Sequence, residues 1–259
     1  MNCPNCNKEV PYGRKMCPKC FHTVEPIPVP PGGKIRFGGY EWYVLDKRDG
    51  KALILTEKVI EKRGYHDQKT EVTWEMCNLR KYLNGDFYES FSASDRARII
   101  EETNKNNDNP WYGTSGGNST TDRIFLLSID EVVRYFGDSG LLKTKNMNPG
   151  CDWCKDEFFF FLGDQYNFAR LAVDDTGRVA FWWLRSPGAN ARYAAFIYGD
   201  EADDMDHGDI DVSGGGSSGG DSSDDDNGDG KEWDGHMHFD GSGLTNKMGV
   251  RPALWLRTE

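Results

Sequence analysis

The stretch Phe181-Trp182-Trp183-Leu184-Arg185-Ser186-Pro187-Gly188 decides the fold, because it joins a strongly apolar run to a charged residue and a turn. Successive side chains of a strand point to opposite faces, so Trp182 and Trp183 are predicted to cover different layers. Arg185 follows the apolar run directly, and a buried arginine needs partners. We therefore expect it to bond backbone carbonyls or an acid and to fix the end of the strand.

A second stretch likewise combines apolar residues, a tryptophan and one arginine: Gly249-Val250-Arg251-Pro252-Ala253-Leu254-Trp255-Leu256. It also encloses one arginine, and we expect the same structural role for Arg251. Further runs rich in β-branched and aromatic residues predict short strands. All the predicted strands lie at 34–37, 40–45, 52–56, 158–162, 178–184, 194–198 and 250–256.

Three capping patterns predict helices between the strands. The predicted helices are Trp74–Leu83 after Thr73, Asp95–Glu102 after Ser92, and a third after the capping box Ser128–Glu131. The first should carry Met76, Leu79 and Leu83 on one apolar face. Residues 103–122, rich in Asn, Gly, Ser and Thr, are predicted to be loop. There is no β-α-β alternation, so we predict an α+β domain with short antiparallel strands and two or three helices.

Four of the seven cysteines form two Cys-x2-Cys pairs within the first 20 residues. Cys3, Cys6, Cys17 and Cys20 can direct four thiolates at one ion, which predicts a tetrahedral zinc site. Metal binding would supply the folding energy of so small a unit. Two disulfides or free thiols are the alternative. Residues 1–24 resemble the short zinc ribbons at the N-termini of many bacterial proteins, and the pattern does not indicate what this ribbon binds.

The chain is therefore predicted to have two domains and a linker. The ribbon at 1–24 is followed by a linker at 25–33, in which four prolines favour extended polyproline II. The second domain is 34–259 and contains an insertion at 213–230 made only of Gly, Ser, Asp and Asn. None of these residues can contribute to a core, so we expect a solvated acidic loop there.

The negative charge is concentrated in one segment. The net charge is −11, and residues 200–240 alone contain 15 acidic residues and one lysine. The rest of the chain is close to neutral and has no basic stripe, so no nucleic-acid partner is expected. No run approaches the ~20 apolar residues of a membrane span, and the first residues lack the pattern of a secretory signal. Together with the clustered cysteines, these features predict a cytoplasmic protein.

The two tryptophan-containing stretches resemble a bacterial domain family of unknown function that has a C-type-lectin-like fold. The formylglycine-generating sulfatase-modifying enzymes share that fold, and some related members are similar to the variable proteins of diversity-generating retroelements. Earlier pieces fit the same family: Tyr40-Glu41-Trp42-Tyr43-Val44-Leu45, Val72-Thr73-Trp74 and Leu79-Arg80-Lys81-Tyr82-Leu83-Asn84. The resemblance covers roughly residues 34–259.

The resemblance implies a non-enzymatic ligand-binding protein, because the two motifs of that family bracket the ligand-facing part of the fold. Here they bracket Ala189–Met248, which the resemblance implies is a recognition surface, diversified by a retroelement. Tyrosine anchors beside adaptable polar residues are typical of contact surfaces. The candidate ligand-binding residues are Ala189, Asn190, Ala191, Tyr193, Phe196, Tyr198, Asp200, Asp203, Asp204, Asp206 and His207. An acidic surface favours cationic or hydroxyl-rich ligands, so a protein and a glycan both fit; an irregular loop without a binding role is the alternative.

Cys151-Asp152-Trp153-Cys154 offers an alternative function. The formylglycine-generating enzymes use cysteines, which implies an oxidase of that kind acting through Cys151 and Cys154. Those enzymes carry their cysteines nearer the C-terminal end of the fold, and no cysteine follows Cys154 here. A second metal site that includes Cys77 and His66 and a set of unreactive thiols are further interpretations.

Asp225-x-Asn227-x-Asp229-Gly230 matches the first half of a calcium-binding loop. Its twelfth position is His236 rather than glutamate, so the usual bidentate ligand is missing. Calcium binding and a solvated acidic loop are the two interpretations. His207, His236 and His238 flank the same segment and could together bind a transition metal.

Overall fold

The computed structural model describes residues 1–11, 14–144, 161–199 and 237–258. Numbered along the chain, its strands are β1 Lys34–Phe37, β2 Tyr40–Arg48, β3 Lys51–Thr56, β4 Glu61–Arg63, β5 Ile99–Ile100, β6 Glu102–Asn104, β7 Thr120–Asp122, β8 Phe161–Leu162, β9 Trp182–Pro187, β10 Tyr193–Ile197, β11 Met237–Gly243, β12 Met248–Val250 and β13 Ala253–Arg257. Its helices are α1 Asn78–Tyr82, α2 Ala93–Arg96, α3 Ile129–Phe136, α4 Leu141–Thr144 and α5 Asn167–Arg170, and a π-helical turn at Leu83–Phe87 continues α1. None of the described helices is long and apolar enough to cross a membrane.

Two large sheets enclose one hydrophobic core. The first has the strand order β1-β2-β3-β13-β5, and the second has the order β4-β12-β9-β10-β11-β8. Strands β6 and β7 form a separate two-stranded ribbon. Sheets with few and short helices agree with the α+β prediction. The antiparallel prediction is wrong at one place: β12 runs parallel to β9, with Gly249 opposite Trp182. A side chain at Gly249 would lie 2.3 Å from the carbonyl oxygen of Phe181, so only glycine permits this approach.

Strand β9 lies at the centre of the second sheet and is buried along its whole length. The indole Nε1 of Trp182 donates to the carbonyl of Arg170 at 3.1 Å, and that of Trp183 donates to the carbonyl of Arg63 at 2.9 Å. Both rings are fully buried and contact different elements, as the alternation of a strand predicts. Each buried ring contributes on the order of 2–3 kcal/mol of apolar burial.

The first predicted helix is wrong in its start and in its apolar face. Helix α1 begins only after Cys77, whose sulfur caps its first turn. The preceding residues form a turn, because the carbonyl of Thr73 accepts the backbone amides of both Met76 and Cys77. Met76 is consequently outside the helix and 57% exposed, whereas Leu79 and Leu83 are buried as predicted.

The second predicted helix is too long. Helix α2 begins after the predicted cap, Ser92, whose hydroxyl accepts the amide of Asp95 at 3.1 Å, but it ends at Arg96. The following isoleucines form β5 and pair with β13. Branched side chains fit a strand well, and pairing with the sheet outweighs the helical pattern here.

The predicted capping box at the third helix is confirmed. The hydroxyl of Ser128 accepts the amide of Glu131 at 3.2 Å, and the Glu131 carboxylate accepts the amide of Ser128 at 2.8 Å. The helix that follows buries Val132, Val133 and Phe136. These two hydrogen bonds satisfy amides that the first turn of a helix leaves without a partner.

The bounds of several other elements differ from the predictions. Residues 103–122 are not entirely loop, because their ends form β6 and β7. Strand β9 starts at 182 rather than 178, since residues 173–179 form a separate hairpin closed by pairing of Val173 with Val179. Pro252 separates β12 from β13, because a proline has no amide hydrogen for a sheet ladder. Residues 158–160 of another predicted strand lie outside the described residues.

The predicted linker, 25–33, contains no helix or strand. Its Pro30 is buried, and Ile27 packs against an apolar cluster that includes Leu171. The carbonyl of Gly33 accepts the amide of Val44 in β2 at 2.9 Å. The linker is therefore packed onto the second domain at several points.

Candidate functional site

The four cysteines of the ribbon lie together, as their spacing predicts. Their sulfur atoms are all within 4.8 Å of one another. The Sγ atoms of Cys3 and Cys20 are 3.4 Å apart, and those of Cys6 and Cys17 are 3.6 Å apart. A group of this kind could hold a metal ion such as zinc.

The two Cys-x2-Cys pairs form the same turn twice. In each, the amide of the first cysteine donates to the carbonyl five residues later, at 2.8 Å in one turn and 2.9 Å in the other. The residue after the second cysteine, Asn7 or Phe21, has a φ of 57°. We call residues 3–8 the first knuckle and residues 17–22 the second knuckle.

Cys77 has a structural role in the described fold. It is buried, and its sulfur accepts the amide of Arg80 at 3.3 Å, which caps α1. Burial raises the pKa of the Cys77 thiol to about 12, so it is protonated at neutral pH. Cys151 and Cys154 lie outside the described residues, and with them the predicted oxidase pair and the metal site that would join them to Cys77 and His66.

The candidate ligand-binding residues differ in exposure. Asn190 is exposed, and the half-buried members are Ala189, Ala191, Tyr193 and Tyr198. Phe196 is only 7% exposed and stacks on His238 with 4.7 Å between ring centroids, so it belongs to the core. The candidates outside the described residues are Asp200, Asp203, Asp204, Asp206 and His207.

Residues 188–193, here called the tip, comprise the connection between β9 and β10 and the first residue of β10. The amide of Gly188 donates to the carbonyl of Tyr193 at 2.7 Å, and Oδ1 of Asn190 accepts the amide of Arg192 at 2.9 Å. Asn190 and Arg192 are both exposed. Within the described part of the chain, the Arg192 guanidinium forms no hydrogen bond or ion pair.

Three other segments hold the backbone of the tip. The carbonyl of Ala191 accepts the amide of Val72 at 2.9 Å. The carbonyl of Ala189 accepts the hydroxyl of Thr114 at 2.8 Å, and the Ala189 amide donates to Asp240 at 2.7 Å. The backbone of the tip is thus fixed from three sides, while its polar side chains face solvent.

The sequence prediction missed Asn109, which is 1% exposed and lies behind the tip. Its Nδ2 donates to the carbonyls of Pro187 and Phe239, both at 2.8 Å. Its Oδ1 accepts the amides of Trp111 and Tyr112. Asn109 therefore ties its own loop to the end of β9 and to β11. The asparagine-rich composition of 103–122 was the signal, because this side chain can satisfy the backbone of irregular segments.

A buried carboxylate connects two of the motif pieces. Asp122 accepts hydrogen bonds from the indole of Trp74 at 3.2 Å and from the hydroxyl of Thr120 at 2.7 Å. The Nε of Arg80 lies 2.5 Å from its other oxygen. A buried charge is tolerated only with such partners, so Asp122 holds the segments of Trp74 and Arg80 together.

The structural role predicted for both arginines is confirmed. Arg185 donates to the carbonyl of Leu126 at 2.7 Å and pairs with Glu131, whose carboxylate also completes the capping box. Arg251 is fully buried and donates from Nε to the carbonyl of Thr56 at 2.8 Å. Burial lowers the pKa of Arg251 to about 10, so it remains charged at neutral pH.

Only one of the three histidines predicted to flank the acidic segment is described. The Nδ1 of His238 lies 3.4 Å from Oδ1 of Asp240, and both side chains are mostly buried. His207, His236 and the half calcium loop at 225–230 lie outside the described residues.

Comparison with known proteins gives one match. A family model described as "Domain of unknown function (DUF6273)" matches residues 49–258. No curated protein and no solved structure matches the chain. The matched range leaves out the ribbon and the linker. It also leaves out β1 and β2, although both strands belong to the first sheet.

Proposed function

The chain belongs to the DUF6273 family, and we propose that it is a non-enzymatic binding protein whose recognition surface is centred on the tip. The proposed surface draws on exposed residues of 189–248, from which the buried Phe196 is excluded, and its scaffold is C-type-lectin-like. The ligand is a protein or a glycan. Diversification of this stretch by a retroelement is part of the proposal.

One observation carries the proposal: the tip combines a fixed backbone with exposed polar side chains. The Val72 amide and the Thr114 hydroxyl donate hydrogen bonds to its backbone, and the Asp240 carbonyl accepts one from it. A loop fixed before binding loses little conformational entropy when it meets a ligand, which favours affinity. Arginine and tyrosine, present here as Arg192 and Tyr193, are the residue types enriched where binding energy is concentrated.

The arrangement of the scaffold supports the same proposal. The residues shared with the motif pieces, among them Trp74, Arg80, Trp182, Arg185 and Arg251, are all occupied in holding segments together. The contacts of these residues therefore explain them as residues that stabilise the fold. The exposed side chains of the tip are not used in this way and remain available to contact a ligand. The late strand β13 pairs with the early strand β3, so the beginning and the end of the domain meet in one sheet, an arrangement compatible with the proposed C-type-lectin-like scaffold.

We further propose that the four-cysteine group holds zinc. A tetrahedral site with Zn–S bonds of about 2.3 Å has sulfur atoms about 3.8 Å apart. The distances of 3.4 and 3.6 Å between pairs of sulfurs are close to that value. Four thiolates leave no open position on the ion, so the metal would stabilise the ribbon rather than catalyse a reaction.

Binding to arrays tests the recognition proposal. Labelled full-length protein is applied to a glycan array and to a protein microarray, as wild type and as Arg192→Ala. Arg36→Ala is the matched control, because Arg36 is also an exposed arginine, lies on β1 and is not part of the tip. We expect signals on particular spots that Arg36→Ala keeps and Arg192→Ala weakens at least about tenfold. Signals that survive Arg192→Ala, Asn190→Ala and Tyr193→Ala alike would refute the tip as the binding element.

Sequencing the gene across a population of the source organism tests diversification separately. We expect substitutions concentrated in codons 189–248 and constant codons for 181–188 and 249–256. An invariant 189–248 would refute diversification but leave a binder of fixed specificity in place.

A further inference from the structure

The two knuckles share one backbone turn but have different surroundings. The second knuckle contacts the hairpin 173–179 of the other domain: the amide of Val179 donates to the carbonyl of Phe21 at 3.1 Å, and His22 pairs with Arg178 as a β-bridge. The His22 ring nitrogen Nε2 also lies 3.1 Å from the carbonyl oxygen of Thr176. The ribbon therefore pairs with one edge of this hairpin through an isolated β-bridge.

An apolar cluster, separate from the main core, lies beneath this contact. Its fully buried members are Met16 from the ribbon and Leu171 and Val179 from the other domain. Partly buried side chains complete it: Phe21, Ile27, Phe168 and Val173. Apolar groups from the ribbon, the linker and the hairpin thus share one cluster, which stabilises their association.

Phe21 provides a second, independent observation. Its φ of 57° is in the left-handed region, which a bulky aromatic residue rarely adopts. Asn7 occupies the same position of the first knuckle with the same φ, and asparagine tolerates this conformation well. A phenylalanine is unfavourable for the turn itself, so its presence is explained by the cluster that its ring joins.

We infer that the metal-loaded ribbon is an internal clamp on residues 171–180, which contain the hairpin 173–179 and lead into β9. The metal fixes the second knuckle, the knuckle carries Phe21 and Met16, and these pack on Leu171 and Val179. Binding of metal and order of the hairpin are then coupled, and coupling is reciprocal: what weakens one weakens the other. The inference depends on the cysteine site but not on ligand recognition by the tip.

Hydrogen exchange followed by mass spectrometry tests the coupling in the full chain. Protein reconstituted with zinc is compared with the same protein after a chelator has removed the metal. We expect exchange of amides in 171–180 to accelerate at least about tenfold, and exchange in β3 to stay within about twofold. Equal protection of 171–180 with and without metal would overturn the inference, as would a protein that binds no zinc.

Phe21→Asn separates docking from metal binding. The substitution places in the second knuckle the residue that the first knuckle already carries, so the turn and the zinc content should persist. We expect the exchange of 171–180 to accelerate as it does after chelation. Val29→Ala is the control, because it also truncates an apolar side chain near the ribbon, but one that is exposed. Unchanged exchange in Phe21→Asn with zinc still bound would contradict the clamp.

Leu171→Ala weakens the same apolar cluster through a residue of the second domain, which is not part of the cysteine-containing ribbon. Reciprocity predicts that the chelator concentration needed to remove half of the zinc falls at least about threefold. This variant decides the matter if Phe21→Asn also loses its zinc. An unchanged midpoint in Leu171→Ala would show that the ribbon and the hairpin are not coupled. The array experiment has a separate readout, so the clamp and the recognition proposal can fail independently.

Discussion

Arg185 and Arg192 lie seven residues apart in the sequence, but one is buried in the second sheet and the other is exposed at the tip. Arg185 is buried, and its guanidinium is surrounded by the carbonyl of Leu126 and the carboxylate of Glu131. Arg192 is exposed, and its guanidinium meets no partner in the described part of the chain. The side chain of Arg185 therefore stabilises the fold, whereas the guanidinium of Arg192 does not contribute to it.

The difference shows what the motif residues of this domain are for. An arginine within a buried strand must be neutralised by its own protein, because an unpaired buried charge is very unfavourable. An arginine at the tip of a fixed hairpin has no such requirement and can pair with a ligand. Stability and binding are therefore expected to respond to different substitutions along this one segment.

Arg185→Met should give the largest loss of stability. It removes the partner of Glu131 and leaves carbonyl groups buried, and breaking a buried pair of this kind costs about 3–5 kcal/mol. Urea unfolding of the full chain, followed by tryptophan fluorescence, measures the loss.

The double variant Arg185→Met, Glu131→Gln removes both charges and should recover part of that loss. If the single variant loses less than about 1 kcal/mol, Arg185 does not have the stabilising role that its contacts indicate.

Asn109→Ala should have the next largest effect. It leaves the carbonyls of Pro187 and Phe239 and two amides without partners, at a cost of about 2–3 kcal/mol. Hydrogen exchange should also increase at the tip, because Asn109 lies directly behind it. Asn118→Ala is the control, since Asn118 is an exposed asparagine of the same loop. Equal hydrogen exchange at the tip in the two variants would show that Asn109 is not what makes the tip rigid.

Cys77 gives a smaller and pH-dependent effect. Its pKa is about 12 in the folded chain against 9.0 in the unfolded chain. The unfolded thiol therefore loses its proton first as the pH rises, so the stability due to Cys77 is complete below pH 9 and is lost toward pH 12. The difference in Tm between wild type and Cys77→Ala should be constant at pH 7–8 and shrink above pH 9. A constant difference up to pH 11 would contradict the raised pKa.

Arg192→Ala should have the smallest effect on stability, within about 0.5 kcal/mol, because an exposed side chain without partners contributes little. The same urea experiment measures it. A loss comparable to that of Arg185→Met would abolish the distinction between the two arginines. A loss of array binding without a loss of stability would sharpen it.

Much of the scaffold could be predicted from the sequence, because its signals are local. Strand β1, the capping box of Ser128 and the cysteine spacing each depend on residues a few positions apart. The roles of Arg185 and Arg251 followed from a single principle, since a charge within an apolar run must find partners.

The errors arose where distant residues decide the local structure. Ile99 and Ile100 continue a helical pattern, but β13 is available to pair with them, and the strand wins. Met76 fits the apolar face of a helix that starts two residues too late to include it. Asn109 and Asp122 are buried polar groups whose partners come from far along the chain. The composition of 103–122 indicates that its asparagines can satisfy backbone groups, but the residues near Asn109 and Asp122 do not indicate which distant groups they contact.

The position of β13 has a consequence for the order of synthesis. This strand lies between β3 and β5 in the first sheet, yet it follows β3 by roughly 200 residues. While the ribosome is still making the intervening chain, the edge of β3 is exposed and has no neighbour on that side. An exposed apolar strand edge invites pairing with other chains. The nascent domain should therefore depend on chaperones until residues 253–257 leave the ribosome and close the sheet.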